Sequence, residues 1–162
     1  MITKKTAFHK DAFFIILCII WPIILYGCAV PYGLRPEYPK QKFSFANYAL
    51  VDSLQPTLQW ESFPRDQDLT GKNKISGQVS DVSYQLRISA EDWYYSRDDL
   101  REPYHRIEVL LSPATRYFWT VRACFKLNGE PRCTIWGCLY YGGYAACRQP
   151  HLYSYRFETP AK

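Results

Sequence analysis

The sequence lacks the motifs on which most enzyme sites depend. It contains no Gly-x-Ser-x-Gly nucleophile elbow, no His-Glu-x-x-His pair and no glycine-rich phosphate loop, and it has only three histidines. Nucleophilic catalysis requires a nucleophile, a base beside it and a group that orients the base. We therefore expect a protein that is not an enzyme, with no catalytic and no cofactor-binding residues.

Long runs of like charge are also absent. The chain of 162 residues carries 20 basic and 15 acidic residues, a formal net charge of +5, and these charges are spread along its length. Nucleic-acid binding requires basic residues that are concentrated in a patch. We therefore expect no nucleic acid among the partners of this protein.

The six cysteines include no Cys-x-x-Cys pair. The last four are separated by eight, four and eight residues, and only His151 lies close to them. Zinc sites of the common types use closely spaced cysteine or histidine pairs, so this spacing favours disulfides and predicts no metal site. An even number of cysteines also fits an oxidising compartment. The four predicted disulfide cysteines are Cys124, Cys133, Cys138 and Cys147.

The first 27 residues have the organisation of a secretory signal. Three lysines precede an apolar stretch from Phe13 to Leu25, and that stretch ends at Leu25-Tyr26-Gly27-Cys28. This tetrapeptide resembles the lipobox of bacterial lipoproteins, in which cleavage precedes the cysteine. The resemblance implies a signal peptide over residues 1–27 and a lipid attached to the thiol of Cys28.

The residue after Cys28 predicts a location. In bacterial lipoproteins an Asp at this position favours retention in the inner membrane, whereas this chain has Ala29. The resemblance therefore implies a protein that is lipid-anchored to the periplasmic face of the outer membrane. The alternative is an uncleaved signal anchor, because Phe13–Val30 is just long enough to span a membrane.

Residues 28–49 are predicted to form a proline-rich tether. Pro31, Pro36 and Pro39 disfavour both a helix and a sheet ladder, and about 20 extended residues would reach roughly 60 Å. Phe43 and Phe45 have the spacing of a strand, and such a segment is able to add to the sheet of a partner. We treat these two residues as candidate interaction residues, with a simple spacer as the alternative.

The clearest β pattern runs from Leu111 to Ala123. From Tyr117 onward, aromatic and apolar side chains alternate with others, which predicts a strand with one buried face. The preceding Leu-x-Pro-x-Thr-x-Tyr sequence resembles the corner between strands E and F of fibronectin type III domains. The resemblance implies a structural corner in which Leu111 closes the core, Pro113 turns the chain and the Tyr117 hydroxyl bonds back to the corner backbone.

Other segments fit further strands of that family. Residues 50–162 are therefore expected to form an all-β, seven-stranded fibronectin type III-like sandwich with Trp60 at the centre of its core. Residues 65–80 and 97–102 are polar and are predicted to be exposed loops. The predicted strands are B within residues 56–64, C at 82–90, E at 104–110, F from 117 and G at 153–159.

Asn128-Gly129 predicts a tight hairpin after strand F. If these two residues are the centre of a type I′ turn, Cys124 faces Cys133 across the hairpin, so that a disulfide between them is the first choice. Cys138 and Cys147 would then close the next loop. The two crossed pairings of the four cysteines remain allowed.

The segment between the last two cysteines, residues 138–147, departs from the family as an insertion. It carries Tyr140, Tyr141 and Tyr144 around two glycines. Tyrosine offers a large and stiff contact area, which is why binding loops favour it. The segment is predicted to be a recognition loop for a protein or a glycan, and the alternative is a cover over the end of the sandwich.

Taken together, these features predict a lipid-anchored structural or interaction subunit of a cell-envelope assembly. A secretion or pilus-type machine fits by analogy, so the expected partners are envelope proteins in a multi-protein complex. The alternative is a carbohydrate- or peptidoglycan-binding module, in which the tyrosine loop and Trp93-Tyr94-Tyr95 stack on sugars.

Overall fold

The computed structural model describes residues 33–41, 47–70, 74–139 and 154–161. These residues form an all-β sandwich of two sheets with one short helix, which confirms that the fold is an all-β sandwich. The elements in chain order are β1 (Pro36–Tyr38), β2 (Ala49–Leu50), β3 (Thr57–Trp60), α1 (Asp66–Thr70), β4 (Val79–Ala90), β5 (Trp93–Leu100), β6 (Tyr104–Arg106), β7 (Arg116–Leu127), β8 (Glu130–Cys133) and β9 (Tyr155–Glu158).

The two sheets differ in size. The smaller sheet has the order β1-β3-β6 and is antiparallel throughout. The larger sheet has the order β2-β9-β7-β4-β5, with β8 also paired to β7, and its one parallel pair is β2 with β9. The described residues thus form nine strands where seven were predicted.

The core lies between the sheets and follows from strand alternation. On β7, Trp119 and Val121 are almost completely buried, and they pair in register with Ile88 and Leu86 of β4. Trp60 from the smaller sheet is also fully buried, as strand B of the resemblance implies. Burying one large apolar side chain contributes about 1.5–3 kcal/mol, so these alternating residues hold the two sheets together.

The hairpin between β7 and β8 has the predicted geometry. Asn128 and Gly129 both have positive φ, at 51° and 88°, as a type I′ turn requires. This turn pairs Cys124 with Cys133, and the two are joined by a disulfide. The first-choice pairing of these two cysteines is confirmed.

The segment predicted as a tether contributes two strands instead. Pro36–Tyr38 pairs with β3, and Ala49–Leu50 pairs with β9, so the expectation of an extended tether is wrong at these positions. Prolines are tolerated because β1 is an edge strand, on which only one side needs ladder hydrogen bonds. Leu34, which precedes β1, is completely buried in the core.

The two predicted loops also contain structure. Residues 97–100 belong to β5, an edge strand, where exposed charged side chains are favourable. Asp68 of α1 was expected in a solvated turn but is 4% exposed, because Arg65 donates two hydrogen bonds of 2.8 and 2.9 Å to its carboxylate. Strand E was predicted to reach residue 110, yet β6 ends at Arg106 and Leu110 is exposed.

The Tyr155 hydroxyl joins three parts of the chain. It donates a hydrogen bond of 2.6 Å to the carbonyl of Leu34, and the backbone of Cys138 bonds to the same hydroxyl. Around this point the backbones are in close contact, since a Cβ at Gly137 would lie 2.4 Å from the Leu34 carbonyl oxygen. Burial raises the pKa of Tyr155, so the hydroxyl stays protonated and able to donate.

Replacement of Tyr155 by Phe tests this junction. The change leaves the buried Leu34 carbonyl without its donor, and we expect the free energy of unfolding to fall by about 1–3 kcal/mol in urea titrations. Tyr94→Phe is the matched control, because Tyr94 is 59% exposed, and it should change stability by less than about 0.5 kcal/mol. Equal stabilities of the two variants would contradict the role of the Tyr155 hydroxyl.

Candidate interaction surface

Several predicted site residues lie outside the described residues. They are Cys28, Phe43, Phe45, Tyr140, Tyr141, Tyr144 and Cys147. The structure does describe the residues that flank each of these segments, and so it places the points from which the segments leave the sandwich.

In the sequence, the insertion lies between two strands, β8 and β9, that both pair with β7. β8 pairs with one end of β7 and β9 pairs with the other. Between them, Thr134 and Gly137 each donate a backbone hydrogen bond of 2.8 Å to β7. Leu139 and Ser154, on either side of residues 140–153, are 2% and 5% exposed. Both ends of the insertion are therefore fixed in the body of the sandwich.

The third predicted disulfide cysteine with a described position is Cys138. It is disulfide-bonded, and Cys124 and Cys133 are bonded to each other, so its partner lies outside the described residues. The proposed Cys138–Cys147 pairing remains a prediction.

The ends of segment 42–46, which carries Phe43 and Phe45, lie against β9. The side-chain amide of Gln41 donates a hydrogen bond of 3.2 Å to the carbonyl of Asn47. The Gln41 side-chain oxygen accepts one of 2.8 Å from the Arg156 N–H. The described ends of this segment, like Ser154 after residues 140–153, therefore lie beside β9.

An aromatic and cationic cluster lies on the larger sheet at β7 and β9. The rings of Tyr48 and Phe118 meet edge to face with centroids 6.2 Å apart. The guanidinium of Arg116 lies 4.9 Å from the centre of the Tyr48 ring, and that of Arg156 lies 5.3 Å from the centre of the Phe118 ring. Arg116 also forms an exposed ion pair of 3.2 Å with Glu158. We call Tyr48, Arg116, Phe118 and Arg156 the Tyr48 cluster.

A second cluster lies further along β7. The guanidinium groups of Arg87 and Arg122 lie 4.7 and 4.4 Å from the centre of the Trp136 ring. Alternation on β4 and β7 directs both arginines away from the core, and Trp136 is half-buried beneath them. We call Arg87, Arg122 and Trp136 the Trp136 cluster.

The two guanidinium groups of the Trp136 cluster repel each other. Burial, and then the charge of Arg87, lower the pKa of Arg122, while the more distant Asp98 partly offsets this. The Nε of Arg122 donates to the Gln85 side-chain oxygen at 2.8 Å, which is a neutral partner. Within the described ranges neither arginine has a carboxylate at ion-pair distance, and Asp98 offsets the positive charge of the cluster only in part.

The residues Trp93, Tyr94 and Tyr95 do not form one sugar-stacking platform. Trp93 and Tyr95 are parallel to each other, with centroids 6.0 Å apart, but Tyr95 is 6% exposed and Trp93 packs edge-on against Tyr117. Only Tyr94 of the three is largely exposed. The expectation that these three rings stack on a sugar together is wrong, because strand alternation sends the first and third rings inward.

The predicted corner is formed by the residues that the resemblance indicated. Leu111 is 2% exposed, and the Tyr117 hydroxyl accepts a hydrogen bond of 3.0 Å from the Ser112 N–H. Pro113 precedes Ala114, whose φ of 46° turns the chain into β7. This corner closes the sandwich at one end, and its Arg116 belongs to the Tyr48 cluster.

The described histidine, His105 on β6, belongs to a polar network that joins the smaller sheet to β5 of the larger sheet. Its Nε2 lies 2.7 Å from the buried Tyr95 hydroxyl, and Glu108 and Arg97 form an ion pair beside it. Burial lowers the pKa of His105, with a smaller opposing effect of Glu108. In the part of the chain that the structure describes, no three metal-binding side chains come together, and no helix is long and apolar enough to cross a membrane.

Comparison with known proteins adds no family to this description. No protein-family model matches the chain, and no curated protein is similar enough to count as a match. The contacts and charges of the described residues therefore carry the functional proposal.

Titration of His105 should make the fold sensitive to mild acid. Its pKa is lowered in the folded state, so the folded protein favours the neutral ring, and this stability is present above about pH 6.5 and is lost as the pH falls below that value. We expect the free energy of unfolding to decrease between about pH 7 and pH 5. In the His105→Gln variant the decrease should be smaller, and an identical decrease in both proteins would contradict the assignment.

Proposed function

We propose that the protein is an outer-membrane lipoprotein whose fibronectin type III-like domain serves as a structural or protein-interaction subunit of a cell-envelope assembly. The observation that carries the proposal is an aromatic and cationic surface on β7 and β9, at the strand that the described ends of two chain segments contact. Gln41, directly before residues 42–46, accepts a hydrogen bond from Arg156 of β9. Ser154, directly after residues 140–153, precedes the same strand, and the Tyr48 cluster includes Arg156.

The strand order supports the family assignment. If β1, β3 and β6 are strands A, B and E, then β9, β7, β4 and β5 are strands G, F, C and C′ of a fibronectin type III-like domain. The hydrogen bond from the Ser112 N–H to the Tyr117 hydroxyl supports the same assignment at the E–F corner. On this assignment, β8 and β9 are two halves of strand G, separated by the insertion.

The Tyr48 cluster has the composition of a protein-binding surface. Tyrosine and arginine are enriched among the residues that dominate binding energies, and they act best where a rigid scaffold holds them. Here β7 and β9 supply that scaffold, and the guanidinium groups of Arg116 and Arg156 lie over the Tyr48 and Phe118 rings.

Photo-crosslinking in the host bacterium tests the interaction surface. A benzophenone amino acid at position 48 should form crosslinks to an envelope protein, because this position lies in the Tyr48 cluster. Position 104 is the matched control: Tyr104 is 50% exposed but lies on β6, in the other sheet. Crosslinks of equal yield from both positions, or from neither, would contradict the proposed surface.

The lipid anchor has a separate test. Cys28→Ser removes the thiol that would be acylated, so we expect an unprocessed precursor and loss of the mature form from the outer-membrane fraction. Cys18→Ser, within the predicted signal peptide, is the control and should be processed normally. Mass spectrometry of the N-terminal peptide measures both outcomes, and normal processing of the Cys28→Ser variant would rule out a lipoprotein.

A further inference from the structure

We propose that the Trp136 cluster binds the phosphate groups of anionic lipids in the membrane that holds Cys28. The inference rests on the lipid anchor proposed above and adds a second contact with the same membrane. It follows from the distance between the anchor and the folded domain, from the place where the chain joins the domain, and from the charges found there.

The folded domain begins close to the predicted anchor. Leu34 is completely buried, and its carbonyl is bonded to the Tyr155 hydroxyl, so the chain is fixed in the sandwich from this point onward. Gly33 is five residues from Cys28 in the sequence, which even a fully extended chain covers in about 18 Å. The domain therefore cannot stand roughly 60 Å from the lipid, as a free segment of about 20 residues would allow.

The Trp136 cluster lies where the chain from the anchor joins the domain. A Cβ at Gly33 would be 2.5 Å from the carbonyl oxygen of Trp136 and 2.7 Å from the Cα of Gly137. The backbones of Gly33 and Trp136 are thus in direct contact. Trp136 carries the indole ring over which the two arginines lie. The short chain to Cys28 brings this cluster within reach of the lipid headgroups.

The charges of the cluster suit a phosphate. Two guanidinium groups lie over one indole ring without a carboxylate at ion-pair distance in the described residues, and an anion placed between them would relieve their repulsion. Arginine binds phosphate through paired N–H groups, and tryptophan is enriched at the membrane–water interface. Basic residues are in addition attracted to a surface that carries anionic lipids.

A lipid is favoured over an acidic protein segment because of position. In the Tyr48 cluster, Arg116 is already paired with Glu158. The Trp136 cluster instead contacts Gly33, which is the described residue nearest in sequence to the proposed anchor. The anchor would keep the domain at the membrane surface, where the local concentration of lipid headgroups is high, so that even a weak site is occupied.

Quenching of tryptophan fluorescence by brominated lipids tests the inference. The full lipidated chain is reconstituted in phosphatidylcholine vesicles with and without phosphatidylglycerol, and the contribution of Trp136 is the difference between the wild type and Trp136→Phe. We expect Trp136 to be quenched in the anionic vesicles. The quenching should be lost in the Arg87→Gln, Arg122→Gln double variant.

The matched control is the Arg101→Gln, Arg106→Gln double variant, which removes the same charge at two other exposed arginines and should keep the quenching. Absence of quenching at Trp136 in acylated wild-type protein, or equal quenching in both double variants, would overturn the lipid-binding inference but not the proposed anchor. Loss of quenching on addition of polyglutamate would also overturn it, since an acidic protein segment would then be the preferred occupant. Absence of an acyl mass on Cys28 would instead refute the anchor.

Discussion

The Tyr155 hydroxyl is the point on which the arrangement of this domain depends. It bonds to Leu34, which precedes β1, and to Cys138, which follows β8, and it lies on β9. One buried polar group thus holds together three parts of the chain that are distant in sequence. Its burial makes the bond costly to break, because water has no access to the freed carbonyl.

Patterns that are local in sequence predicted much of the fold. Alternation predicted β4 and β7, the Asn128-Gly129 turn predicted the Cys124–Cys133 disulfide, and a resemblance pointed to the corner at Tyr117. Each of these features is decided by residues within about a dozen positions of one another, where turn chemistry and periodicity act directly.

Features that depend on distant partners were predicted poorly. Pro36–Tyr38 was predicted to be a tether because its pairing partner, β3, is distant in sequence. Asp68 was predicted to lie in an exposed loop, but it is buried together with Arg65, which donates a hydrogen bond to the carbonyl of the distant Gly33. The same holds for the two arginine clusters. Arginines on the outer face of predicted strands are an available signal, but the aromatic rings beneath them, Tyr48 and Trp136, come from other parts of the chain.

The central claim is the proposal that the domain is held directly on the membrane, since the described part of the chain starts in the sandwich five residues after Cys28, the proposed anchor. Neutron reflectometry of the lipidated protein on a supported bilayer measures the position of the protein layer without any substitution. The account predicts a protein layer that starts at the headgroups, with any solvent gap smaller than about 18 Å. A gap of several tens of ångströms between headgroups and protein would contradict it.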